Sequence, residues 1–281
     1  MLEINDRRNY INVFDNISDL THYVTTRPRK PGRDNDSEDN DYSFSQTHTF
    51  DEAVELLKYG DENLFNQVKK AKSKINIEKI LGNAKRRQVY KNNIQGYLPN
   101  VANFLIGNPK NMIDVEKAKT SQRVINIFLN IRVDGFTNAD EITKIGVKYL
   151  SVIDILEKMG YRCNLYSGVA NERDDYYSFM LVRVKTDKEP LNMKKICFTI
   201  AHPSMQRRIK FKWMEVNDFH FDYTCRGYGG YVNPTTAKKI LDEKLRDNFI
   251  VWTYENDAEN KSVEDIIKDL KNDGINIDFE N

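Results

Sequence analysis

The chain has 281 residues, enough to bury a sizeable core without disulfides or metals as staples, so stability gives no reason to invoke a cofactor. Its composition, 40% hydrophobic and 30% charged with a mean hydropathy of −0.67, is that of a globular protein with a heavily charged surface, and no apolar run is long enough to cross a bilayer. A formal net charge of +1 supplies no global field that would draw the chain to polyanions or keep it from them.

The opening MLEINDRRNYINVF mixes acids and polar residues where a secretory leader needs an unbroken apolar stretch, so export is not expected. Cys163, Cys197 and Cys225 lie far apart with no CxxC pair, which fits buried thiols in a reducing compartment. Tyr10–Phe14 and Ile17–Leu20 predict a short docking helix that ends by Arg27. RPRKPGRDNDSEDND (27–41) then reads as a mobile linker or long exposed loop, because its prolines, glycine and blocks of charge cannot bury surface to offset the entropy of ordering.

Order resumes at Thr49, where TFDE forms a capping box ahead of Phe50, Ala53, Val54 and Leu57 at helical spacing, with Gly60 as the stop. A second helix, about 62–74, turns Leu64, Phe65, Val68 and Ala71 inward. It enters a basic stretch of Lys69, Lys70, Lys72, Lys74, Lys79, Lys85, Arg86, Arg87 and Lys91 with Glu78 alone opposing, and Gly82 marks a break. Gly96–Pro109 reads as a turn, a short helix and a second turn.

VINIFLNI (124–131) is rich in β-branched and aromatic residues and runs into DGFTN, which predicts a buried strand. Asn138 with Glu141 caps a helix that carries a broad apolar face to Met159, and YRCNLYS (161–167) is a second strand. The three make a β-α-β unit with parallel strands. FMLVRVK (179–185) is a third strand, reached through a polar loop without a helix, so hairpin pairing is expected. Residues 191–215 read as helical, broken at His202-Pro203. A helix from Asn233 and Pro234 to Arg246, a strand at 249–254 and a helix capped by Ser262 and Asp265 complete the alternation. The expected fold is α/β, an open, mostly parallel sheet with helices on its faces, preceded by a helical N-terminal region. The expected division is 1–44 (helix and polar linker), 45–120 (helical region with the basic stretch) and 121–281 (sheet domain).

In open α/β sheets ligands sit beyond the carboxyl ends of the strands, which here places Asn130, Arg132, Asp134, Thr137 and the helix cap Asn138 at a binding rim. Tyr228, in the glycine-rich RGYGGY (226–231), is a further binding candidate at a loop tip, although the loop lacks the spacing and following lysine of a phosphate cradle. Two segments combine cations in a manner suited to phosphates: Lys85, Arg86 and Arg87 in the basic stretch, and Arg207, Arg208 and Lys210 in AHPSMQRRIKFKW (201–213). For the second, helical spacing offers another reading, with the aromatics in the core and the cations as a wet face. His202 beside proline reads as a junction hydrogen-bonder rather than a general base, since no nucleophile stands at a recognisable spacing. His22, His48 and His220 are too scattered for a zinc site.

The loop after the 124–131 strand resembles that of von Willebrand factor A-type domains, in which short oxygen ligands hold a divalent ion. Asn130, Arg132 and Asp134 stand at the three ligand positions, and the guanidinium at the middle one opposes a cation, so no metal is expected. TFDEAVELLKYG (49–60), YLPNVANFLIGNP (97–109), the 124–131 strand with its loop, AHPSMQRR (201–208) and GYG (227–229) together resemble an uncharacterised family of tailed-bacteriophage proteins, from about Thr49 to the carboxyl terminus. That resemblance implies expression in a bacterial host cytoplasm and carries no activity. No complete catalytic motif is present. The expected function is therefore a non-enzymatic macromolecule-binding protein that engages a host or phage protein through the carboxyl edge of its sheet. A nucleic-acid-binding protein using 69–91 and 207–213, and a divalent-metal-dependent hydrolase or nuclease centred on Asp134, are the alternatives.

Overall fold

A computed structural model describes residues 1–73, 88–117, 124–219, 230–254 and 260–272. The remainder of the basic stretch (74–87, with Lys85, Arg86, Arg87 and the Gly82 break) lies outside the described residues, as do His220, Cys225 and the Tyr228 loop.

In chain order the first elements are β1 (Leu2–Asn5), β2 (Asn9–Phe14), α1 (Ile17–Thr26), a 3-10 turn at Asp36–Glu38, α2 (Tyr42–Ser45), α3 (Phe50–Tyr59) and α4 (Glu62–Ser73). Then come β3 (Gln88–Asn93), β4 (Leu98–Pro99), α5 (Val101–Leu105) and β5 (Met112–Lys117). The rest are β6 (Val124–Asn130), α6 (Ala139–Lys158), β7 (Arg162–Arg173), β8 (Tyr176–Lys185), α7 (Met193–Ala201), a π-helix (Met205–Lys210), α8 (Phe211–Glu215), α9 (Pro234–Leu245), β9 (Phe249–Thr253) and α10 (Val263–Asn272). Local chemistry sets many of these ends. Thr49 Oγ1 accepts from the Glu52 amide at 3.1 Å, while the Glu52 carboxylate takes the His48 amide rather than that of Thr49. Asn138 and Glu141 form a complete capping box on α6, and Ser262 and Asp265 cap each other at the start of α10.

The chain divides into two compact units, Met1–Asn76 with Arg123–Ile275, and Ile77–Gln122 with Asn276–Asn281. This differs from the expected division at residues 45 and 121, because the amino-terminal residues belong to the sheet. The large unit carries a six-stranded mixed sheet in the order β1-β2-β8-β7-β6-β9. Neighbours β2/β8, β6/β7 and β6/β9 run parallel, and β1/β2 and β7/β8 antiparallel. The predicted strand, crossover helix and adjacent parallel strand are present, with Val124 opposite Arg162 and Asn130 opposite Gly168.

The helix expected over Tyr10–Phe14 is corrected to strand β2. Both its faces are covered, so its apolar residues lose the alternation that marks a half-buried strand. The 168–175 segment, expected as a loop, is mostly strand: β7 runs on to Arg173 and turns into β8 through Asp174 and Asp175, with φ of 50° and 61°.

Strand alternation sorts the core into two layers. Ile11, Phe128, Ala170, Phe179 and Leu181 point to one face and pack with Ala237 and Leu241 of α9. On the other, Trp213 Nε1 donates to Asn12 Oδ1, Ser167 Oγ donates to the Thr199 carbonyl, and Phe14 meets the Tyr23 ring of α1 edge-on. Helices α6 and α7 cross tightly there, since a Cβ added to Gly146 would stand 2.5 Å from Ala201 Cα. The small unit is a three-stranded antiparallel sheet, β3-β5-β4, with α5 after β4.

Candidate functional site

The site begins at a forced break in a helix. Pro203 disfavours helical backbone in the residue before it, and His202 accordingly sits at φ −92°, ψ 129° where α7 ends. Its ring stacks on Phe198 with centroids 4.7 Å apart, and its Nδ1 accepts from the Ser204 amide at 3.0 Å. An occupied Nδ1 lone pair leaves the proton on Nε2. Nε2 faces Asp61 Oδ2 at 3.7 Å, too far for a hydrogen bond. Asp61 meanwhile uses Oδ1 to cap α4, accepting from the amides of Asn63 at 2.8 Å and Leu64 at 3.1 Å.

His202 is 5% exposed, and burial pushes its pKa down from 6.5 to about 4 against the opposing pull of Asp61 and Glu52. The imidazole is therefore a neutral Nε2–H donor at neutral pH. The unfolded chain binds the extra proton between about pH 6.5 and about 4, so stability falls as pH drops through that window, by up to about 3 kcal/mol. His202→Asn, which can keep an acceptor for the Ser204 amide, is expected to flatten this acid limb in urea unfolding followed between pH 4 and 7.

His202 and Asp61 line a cleft of about 1000 Å³. Tyr42 and Gln46 border one side, Glu52 and Leu56 of α3 another, and α4 presents Asn63, Asn66, Gln67 and Lys70 at the i, i+3, i+4, i+7 spacing of a single helix face. Tyr42, 51% exposed, stacks on His48 at 4.6 Å between centroids. Sequence reading had singled out His202 and, in the basic stretch, Lys69 and Lys70, and missed the rest. The amide stripe on the polar side of α4 was the signal that could have found it.

The π-helix behind His202 overturns the wet-face reading of Arg207, Arg208 and Lys210, which are 2%, 1% and 2% exposed. Arg208 donates from Nε to Thr47 Oγ1 at 2.6 Å, from Nη1 to the Ser37 carbonyl at 3.0 Å and from Nη2 to the Thr47 carbonyl at 2.7 Å. Arg207 stacks on Phe44, donates to the Phe44 carbonyl at 2.5 Å and reaches the Thr137 carbonyl. Burial lowers its pKa to about 10, which leaves it cationic at neutral pH. Glu215 accepts from the Ser37 amide at 2.9 Å and from Ser37 Oγ at 2.6 Å. Residues 27–41, expected as a mobile linker or long exposed loop, are thus part of a strap (27–48) tied down at Ser37, Phe44 and Thr47. The charges in this part of the sequence satisfy backbone carbonyls that no helix or strand pairs, and they are not available to phosphates.

At the carboxyl rim of the sheet the predicted residues part company. Asn130, 1% exposed, spends its Oδ1 on the amides of Ala170 at 3.1 Å and Arg132 at 3.3 Å, which braces β6 against β7. Arg132 is buried at 8%, Asp134 is exposed and Thr137 half-buried. Phe136, which the sequence reading passed over, is fully solvent-exposed beside them. Among the described residues no group of three or more His, Cys, Asp or Glu side chains is placed to hold a metal ion. No described helix is long and apolar enough to cross a membrane.

A family model described as a domain of unknown function (DUF7192) matches residues 3–273. Neither a curated protein nor a solved structure matches the chain.

Proposed function

The chain belongs to the DUF7192 family, and from that premise we propose that it is a non-enzymatic binding protein whose small unit docks on a protein partner. The observation that carries this reading is the exposure of large apolar side chains around α5. Within Ile94–Ile106, Ile94 is 66% exposed, Tyr97 60%, Val101 63%, Phe104 67%, Leu105 77% and Ile106 76%. Contiguous apolar surface of this kind on a folded protein marks an interaction site. The segment from Ile94 to Pro109 contains no charged residue, and asparagines border its apolar side chains. The segment itself supplies no cation for lipid or nucleic-acid phosphates, whereas an aromatic and aliphatic centre with neutral hydrogen-bonding neighbours is what a protein interface uses.

Phe136 gives the large unit an apolar contact of its own at the sheet's carboxyl rim. With the parallel β6-α6-β7 unit behind it, this rim is the feature that supports kinship with von Willebrand factor A-like and Rossmann-like sheets, as a degenerate member in which Arg132 replaces metal-binding oxygen. A bacteriophage origin and action in the bacterial host cytoplasm go with this reading. A nucleic-acid role draws less support, because Arg207, Arg208 and Lys210 are buried.

The test is affinity capture from cells of the natural host with the native chain and with Leu105→Asp/Ile106→Asp. A specific partner that binds the native chain and loses tenfold or more in affinity for the variant supports docking, provided the variant's thermal midpoint is unchanged. Equal capture by both chains, or equal co-sedimentation with neutral vesicles, overturns it. Phe136→Ala is expected to shift stability by less than about 0.5 kcal/mol, because its side chain touches little, and calorimetry checks this.

A further inference from the structure

The cleft beneath His202 lies wholly within the large unit and is independent of the apolar surface around α5. Its chemistry is ordered along one axis. At one end a neutral donor, His202 Nε2–H, and an acceptor, Asp61 Oδ2, stand 3.7 Å apart. Nε2 belongs to a side chain that is 5% exposed and lines the cleft, and it has no hydrogen-bond acceptor within range among the described residues. At the other end Lys69 and Lys70 are exposed cations, about 13 Å along the helix from Asp61 at 1.5 Å per residue. Between them Asn63, Asn66 and Gln67 offer amides.

A donor beside an acceptor, with a gap too wide for the two to bond, suits a hydroxyl group, which accepts from one and donates to the other. An ammonium group would meet the Nε2–H proton and is disfavoured. Paired lysines suit phosphate oxygens. Tyr42, backed by His48, supplies an aromatic ring on which a base can stack, and the amides between the two ends can donate to the oxygens of a sugar–phosphate link. We infer that this cleft binds a nucleoside phosphate, with sugar hydroxyls at the His202–Asp61 end and phosphates at Lys69 and Lys70.

Isothermal titration of the full chain with ADP, pyrophosphate and adenosine tests this. Saturable ADP binding is expected, with pyrophosphate and adenosine each at least tenfold weaker because each engages one end alone. Asp61→Asn keeps the helix-capping oxygen and removes the carboxylate charge, and Lys69→Ala/Lys70→Ala removes surface cations. Each is expected to weaken ADP binding about tenfold at an unchanged thermal midpoint, and the lysine variant to reduce its salt dependence. Pyrophosphate binding as tight as ADP would reduce the cleft to a simple anion site. That result, the absence of saturable ADP binding, or ADP affinity indifferent to both variants overturns the inference.

Discussion

Lys185→Met is expected to destabilise the large unit by about 3–5 kcal/mol, read from the urea midpoint at neutral pH. Lys185 is 3% exposed at the end of β8, and its Nζ contacts Glu157 Oε1 at 2.8 Å and the carbonyls of Cys163 at 3.1 Å and Thr186 at 3.0 Å. Methionine keeps the length of the stem and removes all three donors. The Glu157 carboxylate, its side chain 9% exposed, then keeps Arg162 at 3.3 Å and the Cys163 amide at 2.9 Å. Breaking a buried pair costs more than never having formed it, because the remaining charge keeps its desolvation penalty. Pairing the change with Glu157→Leu should therefore recover part of the loss, with a coupling energy of about 1 kcal/mol or more in a double-mutant cycle. Strict additivity of the two changes would show that the ions do not act on each other.

Arg208→Met is the second change expected to act strongly, again at about 3–5 kcal/mol. Its guanidinium ties Ser37 and Thr47 to the π-helix, and nothing in methionine can take over those acceptors. The loss should concentrate on the strap, so trypsin is expected to cut after Arg29 or Arg33, the strap cations not followed by proline, under conditions where the native chain stays intact. Arg208→Lys should fail almost as badly, since an ammonium group cannot reproduce the fork that meets Thr47 twice. Lys212→Ala removes a contact to Glu38 at 2.9 Å in which the acid is 48% exposed, and should cost less than about 1 kcal/mol.

What the sequence makes legible follows from the range of the forces involved. Thr49, Asn138, Ser262 and the Asn233-Pro234 pair mark helix starts because a cap is satisfied within four residues, and all four hold. The 124–167 β-α-β unit is legible because VINIFLNI is a nearly continuous run of β-branched and aromatic residues and YRCNLYS alternates polar with apolar, on either side of a capped helix. Strand β2 is not, since a short run covered on both faces carries no period that separates strand from helix. Arg207 and Arg208 defeat composition altogether: whether a cation faces water or a row of carbonyls depends on the strap, far earlier in the chain. The Asp61–His202 pair is hidden for the same reason. Asp61 reads as one more helix cap, and its second oxygen gains meaning only when the tertiary fold sets it opposite an imidazole.

The order of strands in the large sheet also bears on how the chain is made. β2 ends at Phe14, yet the strand it lies beside, β8, ends only at Lys185. At synthesis rates of about 5–20 residues per second that is a wait of roughly 9–34 s, during which NYINVF has only β1 to pair with. β6, β7 and β9 can assemble without it, whereas the β8 side of the sheet is sealed only when β2 docks. Nascent chains are therefore expected to need a holding chaperone over Asn9–Phe14, and slow, late closure at β2 should dominate refolding.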